Sequence, residues 1–243
     1  MILVNKNVGE TPLELVERVR RERPELATEK LSYAGRLDPM AEGEMLILVG
    51  EENKDREKFL GLDKEYIATF LVGVKTDTGD ALGLIEDLTE ETKSFESSQQ
   101  DIANKLLALR EIKQQKYPWF SGQTVDGVKL FDHFKAGRTD ADLERPVLNV
   151  EIKGVELLNI STEKTEEIRK YIFDAIGKVR GDFRQKEILV RWDEFFGRAP
   201  NEIQVFEVRF LVSSGTYIRA LTENFGFRTT LLKLKRTQII GFD

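Results

Sequence analysis

The tightest constraint on this chain is the stretch Gly35-Arg36-Leu37-Asp38-Pro39-Met40-Ala41-Glu42-Gly43. A residue before proline is driven into extended conformation, and flanking glycines allow turns and close backbone approach that a Cβ would block. Asp38 therefore stands on a stiff loop with its carboxylate placed before any ligand arrives, which makes it the first catalytic candidate. The plainer reading is a surface Asp-Pro turn, so the assignment depends on the rest of the chain.

Around that loop the pattern alternates between strand and helix. Ile2-Leu3-Val4 reads as a strand, and Thr11-Pro12-Leu13-Glu14 supplies an N-cap, a first-turn proline and a capping-box glutamate for a helix reaching about Pro24. Residues 44–49 read as a buried strand, 52–61 as helix, and 64–74 as an alternating strand with Tyr66, Ala68, Phe70 and Val72 on one face, ending in the turn 76–80. Residues 89–101 read as an exposed connection into a helix carrying Ile102, Leu106 and Leu109, and Tyr117–Val125 as extended. Asp126-Gly127 marks a turn before a short helical pattern ending at Gly137. Strands are expected within 147–160 and 203–212, with a helix through Ile168, Ile172 and Ile176 between them. Without repeats or a low-complexity linker, the chain is expected to be one α+β domain, its long mixed, mainly antiparallel sheet flanked by helices, with residues 161–200 as an insertion.

Composition narrows the chemistry. There is no Cys and a single His, His133, which removes disulfides, thiolate nucleophiles and most zinc sites, so no metal or cofactor is expected. His133 lies in a helical context and reads as a packed imidazole rather than a triad base. The acidic turn Asp77-Thr78-Gly79-Asp80 lacks the ordered ligand series of a calcium loop and reads as a turn capping itself. No basic n-region precedes a long apolar run, and no run approaches about 18 apolar residues, so a soluble, cytoplasmic chain without membrane contact is expected. The net charge of −6 argues against nucleic acid until it is mapped. Residues 51–101 hold 14 Asp/Glu against 6 Lys/Arg, whereas residues 205–243 hold 3 against 6, so the C-terminal part can face an anion.

Four separated segments carry a family pattern. Lys6-Asn7-Val8-Gly9-Glu10-Thr11 keeps the Lys, Gly and Thr of an opening motif, and Gly35–Gly43 is complete for Gly-x-Leu-Asp-Pro-x-Ala-x-Gly. Lys64-x-Tyr66-x-Ala68 with Gly73, then Thr76-Asp77-Thr78-x-Asp80, is complete as well. Ser213-Ser214-Gly215-Thr216-Tyr217-Ile218-Arg219 and the closing Leu234-Lys235-Arg236-Thr237 follow in the same order. The series resembles the TruB-type pseudouridine synthases nearly end to end. The resemblance implies isomerisation of a T-arm uridine in tRNA, uridine 55, through a flipped-out base and a catalytic aspartate.

By that resemblance Asp38 takes the place of the catalytic aspartate, Tyr66 that of the stacking tyrosine, Tyr217 that of a second pocket tyrosine, Arg219 that of the aspartate's arginine partner, and Leu234 that of the pocket leucine. Exchanging an N-glycosidic bond for a carbon bond needs a fixed carboxylate, either as nucleophile at C1′ or base, or as stabiliser of developing positive charge, and Asp38 suits each role. Arg219 can hold it through a charge-assisted contact. Tyr66 can stack the flipped base and collect the C5 proton, or can be a core tyrosine. Lys6, Lys235 and Arg236, with Lys233 and Arg228 nearby, are candidates for substrate or phosphate contact, or else form a solvated basic face.

The chain departs from the family at Tyr33, where a His that helps the base swing out is usual, and Tyr33 is expected to wedge or stack instead. Phe120, Gly122 and Thr124 replace the family's Tyr, Ala and Lys. The chain stops just after Phe242, so the family's C-terminal PUA-like domain is expected to be missing and RNA affinity to be modest and salt-sensitive. A monomer acting on tRNA is expected. The alternatives are a catalytically silent tRNA-binding or folding module and the same chemistry on another RNA.

Overall fold

The computed structural model describes residues 1–86 and 95–242. In chain order the elements are β1 (Ile2–Lys6), α1 (Pro12–Glu22), β2 (Leu31–Ala34), β3 (Ala41–Val49), α2 (Arg56–Leu60), β4 (Lys64–Val72), α3 (Gln99–Leu109), β5 (Gln114–Lys116), β6 (Thr124–Val125), β7 (Val128–Lys129), α4 (Leu130–Lys135), β8 (Val147–Asn149), β9 (Ile152–Lys164), α5 (Thr165–Lys178), α6 (Gln185–Phe196), β10 (Glu202–Val212) and β11 (Thr229–Ile239). Single 3₁₀ segments lie at Pro24–Leu26, Gly50–Asp55 and Ile218–Asn224.

Seven strands form one sheet in the order β1-β3-β11-β4-β10-β9, with β2 also paired to β3. Every pairing is antiparallel except β11 with β3, where Leu234, Lys235 and Arg236 run beside Ala41, Glu42 and Gly43. The expected α+β class and mixed, mainly antiparallel sheet are what the structure has.

Strand β4 shows why its alternation fades toward its end. Adjacent residues Phe70 and Leu71 point to opposite faces and enter different cores. One core gathers Phe70, Phe206, Phe210 and Phe225 with α1 and α3; the Phe70 and Phe206 rings stack at 5.1 Å. The other lies under α5 and α6 around Trp192, whose indole Nε1 donates to the Ala81 carbonyl at 3.0 Å. A strand covered on both faces reads as a continuous apolar run, and each large side chain fully removed from water contributes about 1.5–3 kcal/mol.

Local chemistry produced the elements it signalled. Thr11 caps α1, accepting from Glu14 N at 3.2 Å while Glu14 Oε2 accepts from Thr11 N at 2.8 Å. Asp126 and Gly127 both take positive φ (53° and 78°), the two-residue turn that matches hairpin twist, here joining β6 to β7.

Three expectations change. Tyr117–Val125 is not continuously extended: β5 ends at Lys116, only Thr124–Val125 returns to strand, and residues 117–123 form a loop held from outside by arginines. Pro118 and Gly122 make that segment a poor ladder partner. Residues 52–61 split into a 3₁₀ turn and the short α2. Of the connection expected at 89–101, residues 89–94 lie outside the described residues, and α3 begins at Gln99 after its Ser98 cap. The segment 161–200 holds the end of β9 and the α5–α6 pair, of which the sequence pattern had marked only the first helix.

Candidate active site

The Asp38 loop joins β2 to β3 and is closed by a turn, Ala41 N donating to Asp38 O at 3.0 Å. Its backbone is gripped from below. Arg236 donates from Nη1 to Gly35 O (3.2 Å) and from Nη2 to Arg36 O (2.7 Å), while Lys6 Nζ donates to Glu10 O (2.6 Å), Asn7 O (2.9 Å) and Pro39 O (3.4 Å). Gly9 N adds a bond to Pro39 O at 2.8 Å. The parallel crossing of β11 over β3 is possible only at a glycine: Gly43 has φ +106°, and a Cβ there would lie 2.1 Å from Arg236 O.

Arg219 organises the centre. It sits on the 3₁₀ turn after β10, 4% exposed, with Nε donating to Asp38 Oδ2 at 2.7 Å, Nη1 to Thr78 O at 2.8 Å and Nη2 to Phe120 O at 2.8 Å. One guanidinium therefore ties together the Asp38 loop, the 76–80 turn and the 117–123 loop. Asp38 keeps 38% of its side chain exposed, and Oδ1 accepts no hydrogen bond from the described residues. Burial works to lower the Arg219 pKa, but the carboxylates of Asp38 and Asp80 overcome it and hold it raised.

Asp80 is the second acid of the centre. Oδ1 accepts from Thr78 Oγ1 and Leu82 N, both at 2.9 Å, and Oδ2 lies 3.8 Å from Arg219 Nε. Burial pushes its pKa up to about 6; Arg219 opposes the shift and the Asp38 charge adds to it. Asp77, in the same turn, is taken by Arg184 at 2.7 and 3.2 Å and by Leu84 N at 2.9 Å. These carboxylates are committed to their own turn and to arginines, as the self-capping reading expects.

The remaining candidates separate into those the fold brings to Asp38 and those it does not. Leu234 lines a small cleft with Asp38, Met40, Ala41, Asp80, Leu231 and Leu232. Tyr217 stands beside Arg219, whose guanidinium carbon lies 5.7 Å from its ring centroid, and meets Tyr117 edge-on at 6.0 Å. Burial, then the Asp38 charge, raises the Tyr217 pKa. Tyr66 is 7% exposed on β4, with the Arg236 guanidinium carbon 5.6 Å from its ring centroid. Tyr33, on β2, receives a hydrogen bond on Oη from Arg36 Nε at 3.3 Å.

Lys6, Lys235 and Arg236 do not line the cleft beside Asp38. Lys6 and Arg236 are each 1% exposed and hold backbone carbonyls. Burial lowers the Lys6 pKa to about 8, with Glu10 and Asp38 opposing. Lys235 is exposed, but it alternates with Leu234 and Arg236 along β11 and so lies on the opposite face of the sheet from the cleft. Lys64 belongs with the buried pair: its Nζ donates to Leu60 O at 2.7 Å, to Leu62 O, and to Ser214 Oγ at 3.4 Å. Sequence reasoning gave no role at the site to Lys64, Arg36 or Arg184, and gave Asp80 only that of capping its own turn. For Arg36 the signal was present, a cation two residues before the candidate aspartate.

The chain's residues 23–172 match the model of the TruB family pseudouridylate synthase (N terminal domain). It is 35% identical over 170 residues to the tRNA pseudouridine synthase B of Psychrobacter arcticus, a match covering 68% of this chain and 43% of that one. The chain belongs to the TruB family. Over nearly its full length it is also similar to the tRNA pseudouridine synthases B of Thermus thermophilus (31% identical, 97% of this chain, 71% of that one) and Leifsonia xyli (29%, 100% and 68%). It spans less than half the length of the Psychrobacter relative. A chain of a Cbf5-Nop10-Gar1 complex shares the fold, with a TM-score of 0.52 at 17% identity over 98% of this chain and 48% of that one. The TruB-family match takes in Asp38, Tyr66 and the 76–80 turn; Tyr217, Arg219 and Leu234 lie beyond it and are joined to them by the geometry.

Proposed function

We propose that residues 1–243 act, as a monomer whose own residues complete the site, as a catalytic domain that isomerises uridine to pseudouridine in tRNA, at the T-arm uridine 55. The observation that carries this reading is the Asp38–Arg219 pair: one carboxylate oxygen fixed at 2.7 Å by a buried guanidinium, the other left toward a cleft lined by Leu234. Residues 161–200 are a family-variable insertion on this domain.

The reaction breaks N1–C1′, turns the base, joins C5 to C1′, and in doing so loses the C5 proton while N1, left with the electron pair of the broken bond, takes one up. It neither adds nor removes electrons, so the protein's tasks are to extract the base, place it and stabilise charge at C1′. Asp38 meets C1′ as nucleophile. Arg219 orients the carboxylate through the 2.7 Å bond from Nε, and each ångström of misplacement avoided matters, since such errors cost on the order of 10²-fold in rate. Flipping the base costs a few kcal/mol; Tyr66, Tyr217 and Leu234 offset part of it by stacking and apolar contact. Tyr66 carries a phenol at the same face for the departing C5 proton.

The test is mass-spectrometric detection of pseudouridine in an unmodified tRNA transcript incubated with the wild-type chain and with Asp38→Asn. Conversion at the T-arm uridine by the wild type and none by Asp38→Asn, at equal RNA binding, is expected. Binding without conversion by the wild type would overturn the enzymatic reading in favour of a silent tRNA-binding module.

A further inference from the structure

Three positions at which the chain differs from, or is left open by, the family pattern touch one another. Tyr33 stands where the family usually has His, Gly122 where it has Ala, and Arg36 fills the open position before Leu37-Asp38. Arg36 Nε donates to Tyr33 Oη at 3.3 Å, with its guanidinium carbon 6.0 Å from the Tyr33 ring centroid. A Cβ on residue 122 would lie 2.3 Å from Arg36 Nη1, so the guanidinium uses the space that an alanine would fill.

The other arginines around this cleft are spoken for. Arg219 and Arg236 give their N–H groups to Asp38 and to backbone carbonyls, Arg184 pairs with Asp77, and Arg145 pairs with Asp140 and the Tyr117 carbonyl. Arg36 is exposed, forms no ion pair among the described residues, and points Nη1 and Nη2 at no protein acceptor among them. Its charge is nevertheless felt across the cleft at the Tyr217 hydroxyl.

We propose that Arg36 contacts a backbone phosphate beside the flipped-out nucleotide, oriented by Tyr33 and admitted by the absence of a side chain at Gly122. The inference rests on the RNA-modifying role proposed above. An arginine fork matches two phosphate oxygens at once. Two residues of extended chain span about 7 Å, so a nucleotide whose C1′ meets Asp38 carries its own backbone past the guanidinium. Arg36 thus supplies the positive charge that Tyr33 lacks.

The experiment measures T-arm transcript binding across a salt series in the Asp38→Asn background, and turnover with Asp38 intact, for Arg36→Ala, Arg36→Lys and Gly122→Ala. Loss of one phosphate contact makes the slope of log K against log salt shallower by about 1. Arg36→Ala is expected to show that change, with KM raised roughly tenfold and kcat kept, the pattern of a contact made equally in ground and transition states. Arg36→Lys keeps the slope and loses part of the affinity. Gly122→Ala moves only the far end of a flexible side chain, and reproduces the shallower slope at an unchanged melting temperature. An unchanged slope in Arg36→Ala overturns the inference whatever happens to activity. Wild-type binding without conversion overturns the enzymatic reading instead and leaves the slope to decide Arg36; no binding at all overturns both.

Discussion

Replacing Asp80 by Asn changes one property and little else. The amide keeps an oxygen in place of Oδ1, so the bonds from Thr78 Oγ1 and Leu82 N, both 2.9 Å, survive; what goes is a negative charge 3.8 Å from Arg219 Nε. Burial raises the Asp80 pKa from its ordinary 3.8 to about 6. A carboxyl raised in the folded state is protonated there while already ionised in the unfolded chain, so it favours folding below pH 3.8 and loses that contribution as pH rises to about 6. At about 1.36 kcal/mol per pH unit, that interval corresponds to about 3 kcal/mol. Urea unfolding of wild type and Asp80→Asn at matched pH values isolates the group by difference. Wild-type stability minus variant stability is expected to fall by about 3 kcal/mol between pH 3 and 7, about 2 kcal/mol of it between pH 4 and 6, and to stay level above pH 7. A flat difference would show that burial does not control this acid. A rising one would show that the attraction of Arg219 outweighs the cost of burying the charge.

Further outcomes follow from the same geometry. Gly43→Ala forces a Cβ to 2.1 Å from Arg236 O at φ +106°, and is expected to cost about 3 kcal/mol or more in urea unfolding, from overpacking and left-handed strain together. Trp192→Ala empties a fully buried site between Phe195 and Phe196 and strands the Ala81 carbonyl; about 3–5 kcal/mol of stability should be lost in the same assay. Arg184→Ala removes both the Asp77 pair and the cation 4.4 Å from the Phe120 ring centroid, and Phe120 O is one of the three anchors of Arg219. Steady-state turnover of that variant is expected to show kcat reduced roughly tenfold with RNA affinity unchanged, the mark of a group that positions the catalytic pair.

What the sequence made legible was local. The Thr11–Glu14 capping box and the Asp126-Gly127 turn are settled by residues within a few positions of each other, and both formed. Asp38 was legible because Pro39 and the flanking glycines restrict one loop. The cations were not. Lysine and arginine advertise a charge but not its acceptor, and Lys6 and Arg236 found carbonyls brought to them by β3 and β11. The face occupied by Lys235 depends on the register of β11, which shifts at two irregularities along β4. The reach of Arg184 from the start of α6 to Asp77 depends on how α5 and α6 pack on the sheet, which no window of sequence contains.

The placement of these cations bears on how the proposed RNA substrate would meet a chain of net charge −6. Elsewhere on the surface basic side chains meet acids, as in Lys153–Asp63, Arg209–Glu156 and Arg169–Asp193, and such pairs cancel at a distance. Beneath the Asp38 loop Lys6, Lys64 and Arg236 are held by neutral carbonyls and a hydroxyl, so their charge is located without being neutralised by a bonded carboxylate. Burial lowers the pKa of Lys6 and of Lys64 to about 8, which leaves both mainly protonated at neutral pH. A charge in the low-dielectric interior is screened less than one in solvent. The charges nearest the cleft are therefore these cations with Arg36 and Arg219 on one side and Asp38 and Asp80 on the other, a local balance that differs in sign from the total. The same bonds that fix the Asp38 loop keep three cations beneath it that no bonded carboxylate neutralises.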